Sequence, residues 1–411
     1  MASNGEWSND NTSLRGVVGT LMRQAHIAEA QGKTIISLGQ GDPSTYSCFA
    51  APKNAQDALV KCTLSSLYNG YAPSLGLPQA KKAVADFLSK DLASKLSPND
   101  VYMTVGCSQA IQICLTVLSS KSPNANILLP KPGFTLYQSL AAEIGIEAIF
   151  YELIPEDEWK VNLDQVRQLA DENTTAIVVI NPNNPCGSVF SREHATEIAQ
   201  TARDLGISIV SDEIYAHIVY GDYEFVPMAK FASIVPVITL GGLSKRWLIP
   251  GWRIGWLAIC DPNGFLKPKK VQQAIEVLMN ITPTPSTMIQ AAVPSVLQDT
   301  CQEFHEQTLQ LLKTAANICY ERIQKIDALS CYSRPNGSMF IMAKLNLHLL
   351  KGIKDDMDFA WHLMNEEAVL VVPGFILGMK DWIRISFAAP STLLEEAWDR
   401  IESFCCRSSY L

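Results

Sequence analysis

The 411-residue chain contains no apolar run near the ~20 residues that a helical membrane span requires, so no membrane partner is expected. It also lacks a basic surplus: 33 Lys and Arg stand against 41 Asp and Glu, a formal charge of −8. That balance disfavours nucleic acid or an anionic lipid surface as a partner. The opening segment MASNGEWSNDNTSLRG has neither the basic start nor the apolar centre of a secretory signal, and Ala2 excludes N-myristoylation. Residues 1–13 are polar and read as frayed. The terminal Ser409-Tyr410-Leu411 departs from a peroxisomal tripeptide because Tyr stands where a basic residue is needed. A cytoplasmic protein is the expectation. The 11 cysteines are odd in number, include no CxxC pair and form no Cys/His cluster of zinc spacing. No metal is expected, and most of these thiols read as core or free side chains in a reducing compartment.

Three common catalytic signatures are also missing. Gly32-Lys33-Thr34 is near the end of a P-loop, but Ile27 occupies the place of its first glycine, so the glycine that helps such a loop cradle a phosphate is missing. Gly39-Gln40-Gly41 starts a dinucleotide fingerprint, yet Ser44 stands at its third glycine. Gly242-Leu243-Ser244 is not a nucleophile elbow, because Arg246 occupies its second glycine. Nucleotide hydrolysis, nicotinamide chemistry and serine hydrolysis lose their markers.

With 47% hydrophobic and 18% charged residues, the composition is globular. The length suits two or three domains with a sizeable core. From about residue 77, apolar runs at 101–105, 127–129, 148–151, 176–180, 207–210, 235–240 and 254–259 alternate with helical patterns at 79–89, 109–118, 163–171 and 192–205. This alternation predicts an α/β fold with a mainly parallel seven-stranded sheet covered on both faces. The rhythm changes afterwards: residues 302–327 read as one long amphipathic helix, followed by strands near 339–343 and 383–387 and a helix near 357–367. The expected division is an N-terminal arm and part of the small domain at 1–60, a large domain at 61–300, and a small α+β domain at 301–411.

Chemistry in such a sheet gathers at the carboxyl ends of its strands. One apolar run leads into Asn181-Pro182-Asn183-Asn184-Pro185-Cys186-Gly187, a rigid non-helical turn that can aim an amide out of the sheet; a plain Asn-Pro turn explains it equally. A second leads into Ser211-Asp212-Glu213-Ile214-Tyr215. A carboxylate at the end of a buried strand needs a cationic partner, unless Asp212 caps a helix. A third leads into Gly241-Gly242-Leu243-Ser244-Lys245-Arg246-Trp247, with Arg253 between Trp252 and Trp256 in a Gly/Pro-rich stretch. Burial would favour the neutral amine of Lys245 that Schiff-base chemistry requires, and a phosphate would satisfy Arg253. Amine, carboxylate, amide, phenol and guanidinium together suit pyridoxal 5′-phosphate, which carries an aldehyde, a ring nitrogen, a phenolic oxygen and a phosphate.

At this point the chain resembles the class I pyridoxal-phosphate aminotransferases of fold type I, and within them the tyrosine aminotransferases, including plant members. The segments NGYAPSLGLPQAKKAVADFL, VYMTVGCSQAI, ILLPKPGFTLY, INPNNPCGSVFS, SDEIY, GGLSKRWLIPGWRIGW, NGSMF and WIRISF follow the family order. The resemblance implies that Lys245 bonds the cofactor aldehyde and carries the proton, while Asp212 holds the ring nitrogen protonated. It implies that Tyr215 and Asn184 meet the phenolic oxygen and Phe134 stacks on the ring. Cys107, Ser108 and Arg253 would cradle the phosphate at a helix start, with Tyr71 reaching in from the other subunit of a homodimer. Arg384 would fork onto the substrate α-carboxylate, with Asn184 and the backbone near Gly41 beside it. One departure is Gly242, where many members carry Ser.

The implied activity is a ping-pong transfer of an amino group from an aromatic amino acid to a 2-oxo acid. Tyrosine is the favoured donor and phenylalanine a possible one; 2-oxoglutarate is the favoured acceptor, with 4-hydroxyphenylpyruvate also open. A carbon–sulfur lyase acting on cysteine conjugates is the alternative, and a nicotianamine-type aminotransferase a third. A non-catalytic binding module would show an added DNA-binding segment or eroded site residues, and neither is present.

Overall fold

The computed structural model describes residues 16–21, 32–119, 124–268 and 270–408. The frayed start expected at 1–13 and the terminal tripeptide lie outside them. After β1 (Ile36–Ser37) come the strands of the main sheet: β2 (Val101–Val105), β3 (Asn126–Lys131), β4 (Glu147–Ile154), β5 (Lys160–Val161), β6 (Thr174–Ile180), β7 (Ser208–Asp212), β8 (Val237–Gly242) and β9 (Ile254–Cys260). Their order across the sheet is β2-β9-β8-β7-β6-β3-β4-β5. Strands β8, β7, β6, β3 and β4 run parallel, whereas β9 is antiparallel to both neighbours and β5 closes one edge antiparallel. The seven runs anticipated in the sequence are all present. The two-residue β5 is too short to leave a pattern.

Strand β6 shows why the sheet is buried on both faces. Ile177 and Val179 pack into one apolar cluster, while Ala176, Val178 and Ile180 pack into another on the opposite face, as a side-chain period of two dictates. The helix Arg192–Asp204 covers the first face with Ala195, Ile198, Ala199 and Ala202. Its Ser191 side chain accepts the His194 N–H at the helix start. The helix Gly106–Ser119 buries Ala110, Ile111, Cys114 and Leu118 against the second face.

Two strand ends differ from expectation, and both matter. Strand β7 continues to Asp212, which pairs with Ile180 and Leu240. Strand β8 continues through Gly241 and Gly242, opposite Trp256 and Gly255 of β9. Glycines carry no strand signal, but here β9 supplies the packing: a Cβ on Gly241 would lie 2.5 Å from the Trp256 indole. A Cβ on Gly242 would meet the Ile254 carbonyl at 2.8 Å, so a side chain there would crowd β9.

The remaining strands are β10 (Leu329–Ser330), β11 (Phe340–Leu345), β12 (Val369–Leu370), β13 (Val372–Pro373) and β14 (Trp382–Ser386). Four of them form an antiparallel sheet in the order β10-β11-β14-β13. Strand β12 pairs in parallel with β1, tying residues 36–37 to this C-terminal part. The long helix spans Gln302–Ile323 and the later one Asp356–Glu367. The sequence reading passed over the helices Thr135–Ile144, Val271–Met279 and Thr287–Asp299; the last contains Pro294, which argues against a helix on local rules. Residue 60, taken above as a boundary, lies inside the helix Lys53–Ser65, which packs on Thr287–Asp299. Among the described residues no helix is long and apolar enough to cross a membrane. None of the described Cys, His, Asp and Glu residues form a group of three that could hold a metal ion. All 11 cysteines are unpaired.

Candidate active site

The carboxyl ends of β6, β7 and β8 open onto one cavity of about 680 Å³, closed on the far side by β11 and β14. Lys245, Asp212, Tyr215, Asn184, Arg253, Cys107, Ser108, Phe134, Arg384 and Gly41 all line it. Tyr71 does not. It is fully exposed on its own chain, at 106% of its reference area. A second cavity of about 570 Å³ lies at the opposite end of the sheet, by Asp100 and Cys260, and holds none of these residues.

Asp212, the last residue of β7, is 3% exposed. Burial raises its carboxyl above the usual range, opposed by the Ile214 N–H, the Tyr137 hydroxyl and the Cys107 thiol. Lys245 lies two residues beyond Leu243, in the turn that follows β8, and its Nζ donates to the Gly41 carbonyl at 2.5 Å. Burial lowers this amine to about 8; the Asp42 carboxylate opposes the shift, while Arg384 and Arg253 add to it. About a tenth of the amine is then neutral at pH 7, far more than in an ordinary lysine. Tyr215 places its ring 5.8 Å from Nζ and meets Phe340 edge-on at 5.7 Å.

Arg253 approaches the start of the helix Gly106–Ser119, with Nη2 donating to the Val105 carbonyl at 3.3 Å and Nη1 to Pro250 at 3.0 Å. Gly106 makes this possible: its φ is +72°, and a Cβ there would lie 2.5 Å from Nη2. A guanidinium beside the free N–H groups of a helix start is an anion site. Ser108 faces it. The Cys107 side chain, placed above with the phosphate, points elsewhere: its thiol donates to Asp212 Oδ1 at 3.8 Å.

Arg384 lies in the middle of β14 and is 2% exposed. Its Nη1 donates to Asn184 Oδ1 at 3.1 Å, its Nη2 to the Gly39 carbonyl at 2.7 Å, and its guanidinium carbon lies 4.5 Å from the centre of the Phe340 ring. Nε is buried without a partner. Burial lowers this guanidinium to about 10, with Tyr215 opposing. Among the described residues neither Asp212, Lys245, Arg253 nor Arg384 forms an ion pair; each meets only neutral groups. Asp212 and Arg384 are thus buried in one cavity without an ion-pair partner among the described residues, which is costly unless ligands supply the counter-charge. Lys245 has the Asp42 carboxylate nearby, and Arg253 is exposed.

Sequence reasoning missed four participants. Phe340, Asp42 and Val18 line the cavity, and Tyr137 holds Asp212 from behind it. Tyr137 sits three residues after Phe134, one turn along the same helix start, so the PGFTLY segment held that signal. Phe340 is the last residue of the NGSMF segment.

The sequence profile of the family described as "Aminotransferase class I and II" matches residues 33–401. The chain belongs to this family. Its members depend on pyridoxal phosphate. Among curated proteins the chain is 46% identical over 405 residues to a probable aminotransferase, TAT2, of Arabidopsis thaliana, covering 98% of this chain and 97% of that one. It is 44% identical to nicotianamine aminotransferase 1 of Oryza sativa subsp. japonica, covering 97% of this chain and 80% of the relative. It is likewise 44% identical to the S-alkyl-thiohydroximate lyase SUR1 of Arabidopsis thaliana, over 96% of this chain and 85% of the relative. Among solved structures, the tyrosine aminotransferase of Leishmania infantum superposes with a TM-score of 0.87 at 34% identity, covering 92% of this chain and 93% of that one. This aminotransferase therefore has the fold type I architecture anticipated from its sequence.

Proposed function

We propose that this aminotransferase moves the amino group of an aromatic L-amino acid, tyrosine foremost and phenylalanine next, to a 2-oxo acid such as 2-oxoglutarate or 4-hydroxyphenylpyruvate by a ping-pong route. The observation that carries this reading is the set of charged side chains in one cavity that form no ion pair among the described residues. A phosphate suits Arg253 and the Gly106 helix start, a protonated ring nitrogen suits Asp212, and an α-carboxylate suits Arg384, whose Nε has no partner.

When bound, pyridoxal phosphate supplies an aldehyde for an amine and a ring that withdraws the electron pair left as a Cα proton departs. The residues of the chain do the rest. Lys245, with its amine near 8, would hold the cofactor through its neutral form and would serve as the base for the Cα proton. Asp212 would pair with the ring nitrogen. Tyr215 and Asn184 would donate to the phenolic oxygen, Phe134 would cover one ring face, and Cys107 and Ser108 would offer the helix-start N–H groups to the phosphate. Arg384 would fix the substrate carboxylate with its planar fork, and the Gly41 carbonyl holds the amine of Lys245 while no cofactor is bound. Val18, Ile111, Phe134 and Phe340 give the cavity apolar walls, which suits an aromatic side chain.

The active form in this reading is a homodimer in which Tyr71 of one subunit completes the phosphate site of the other. Its full exposure, beside exposed Leu64 and Leu67, supports that placement. The large body holds the cofactor and the C-terminal body carries Arg384, with the first boundary moved to about residue 52 to keep the helix Lys53–Ser65 whole. The cytoplasm is the proposed compartment. The second reading, a carbon–sulfur lyase acting on cysteine conjugates, is supported by the 44% identity to SUR1. Tyrosine added to the loaded enzyme without any oxo acid separates the two: one equivalent of 4-hydroxyphenylpyruvate per site supports the transfer. Silence toward tyrosine, with pyruvate and ammonia released from cysteine conjugates, supports the lyase.

A further inference from the structure

Asp212 owes its position to two side chains that the proposed chemistry has not yet used. Tyr137 donates its hydroxyl to Oδ2 at 3.0 Å, and Cys107 donates its thiol to Oδ1 at 3.8 Å. The Ile214 N–H completes the set at 3.2 Å on Oδ1. Tyr137 comes from the first turn of the helix Thr135–Ile144 and Cys107 from the first turn of Gly106–Ser119. Both are buried, and among the described residues neither side chain has another hydrogen bond. The same two turns present Phe134 and Ser108 to the cavity. Two helix starts therefore hold the carboxylate from behind while facing the cofactor space in front.

We propose that Tyr137, with Cys107 as the weaker partner, is a positioning residue that keeps Asp212 ionised and so decides where a proton shared between Asp212 and the cofactor ring nitrogen rests. This rests on the pyridoxal-phosphate reading above. A buried carboxylate takes up a proton unless donors or cations oppose it, and no cation pairs with Asp212 among the described residues. The other titratable groups around the carboxylate are Tyr215, Glu213, Cys114 and the more distant Arg253. Glu213 is occupied by the Ser211 hydroxyl and the Met228 N–H. Tyr137 and Cys107 are both pushed well above their ordinary values by burial, with the Asp212 charge adding to the shift. They remain neutral donors across the working pH range. Without them the carboxylate becomes the stronger base and draws the proton off the ring.

The test loads the full-length enzyme with pyridoxal phosphate labelled with ¹⁵N in the ring and reads the nitrogen signal by NMR. The wild type should show a protonated nitrogen. Tyr137→Phe keeps the ring packing and removes the hydroxyl. A hydrogen bond to a charged group is worth enough that the ratio of neutral to protonated nitrogen should rise roughly tenfold to a hundredfold. Cys107→Ala should move the signal the same way by less, and Cys107→Ser should restore it. An unmoved nitrogen signal in loaded Tyr137→Phe, even with a lowered melting temperature, overturns the proposal. If that variant does not fold, an unmoved signal in Cys107→Ala overturns it instead. Wild-type protein that takes up no pyridoxal phosphate brings down the underlying reading of the cavity, a result distinct from an unmoved signal.

Discussion

Lys245 and Gly41 stand 204 positions apart, yet the Lys245 amine donates to the Gly41 carbonyl at 2.5 Å. Gly41 follows β1, which is tied to β12, and Arg384 donates to Gly39 in the same segment. Residues 39–41 thus form a common floor beneath the amine that follows the parallel sheet and the guanidinium of the antiparallel one. Gly41 allows no side chain there, since a Cβ would lie 2.5 Å from the Phe340 ring.

Removing the amine tests the first consequence. Lys245→Ala should retain the fold and lose transamination by about a thousandfold or more, because both the covalent attachment and the proton transfer depend on it. Steady-state kinetics beside a circular-dichroism melt decide it; normal turnover excludes Lys245 from the chemistry.

The depressed pKa of Lys245 sets a pH profile for cofactor capture. Below about 8 the amine is mainly protonated and cannot attack an aldehyde; above it the neutral form dominates. The rate at which cofactor-free enzyme takes up pyridoxal phosphate should rise with pH through about 8 and then level. A rate still climbing steeply at pH 10 would show an ordinary lysine.

Arg384→Lys keeps a positive charge but loses the planar fork. For a residue meeting the substrate carboxylate, kcat/KM for both amino acid and oxo acid should fall about tenfold to a hundredfold. Cofactor affinity should change little. A loss confined to cofactor binding contradicts that role.

Much of this site was legible because its residues sit at strand ends. Asp212, Lys245 and the Asn184 turn each interrupt a run of apolar residues, and a polar group there needs a reason. Arg384 was different. A charge inside WIRIS has no local explanation, and only the resemblance singled it out. Phe340 and Tyr137 stayed hidden because an aromatic in an apolar stretch reads as core; what distinguishes them is a neighbour brought close by the fold. The Lys245–Gly41 contact has no local signal at all. The same holds for the ends of β7 and β8, where ladder pairing with adjacent strands outweighs the weak strand preference of Ser, Asp and Gly.

Glu213, next to Asp212 but turned away from the cavity, carries a stability prediction. Burial raises its carboxyl to about 7 from 4.5. The folded protein therefore binds the extra proton between these values, and the stabilisation, full below 4.5, is lost as pH rises through about 7. Glu213→Gln should remove that slope, so wild type should lose on the order of 3 kcal/mol relative to the variant across this window. Melting temperatures from pH 5 to 8 read it, and parallel curves for the two proteins would contradict the assignment.

The most direct measurement is to fix the cofactor where it sits. Borohydride reduction of the loaded enzyme, followed by proteolysis and mass spectrometry, should place a single pyridoxyl group on the peptide containing Lys245. A label on another lysine, or none, would contradict the assignment of this cavity as the active site.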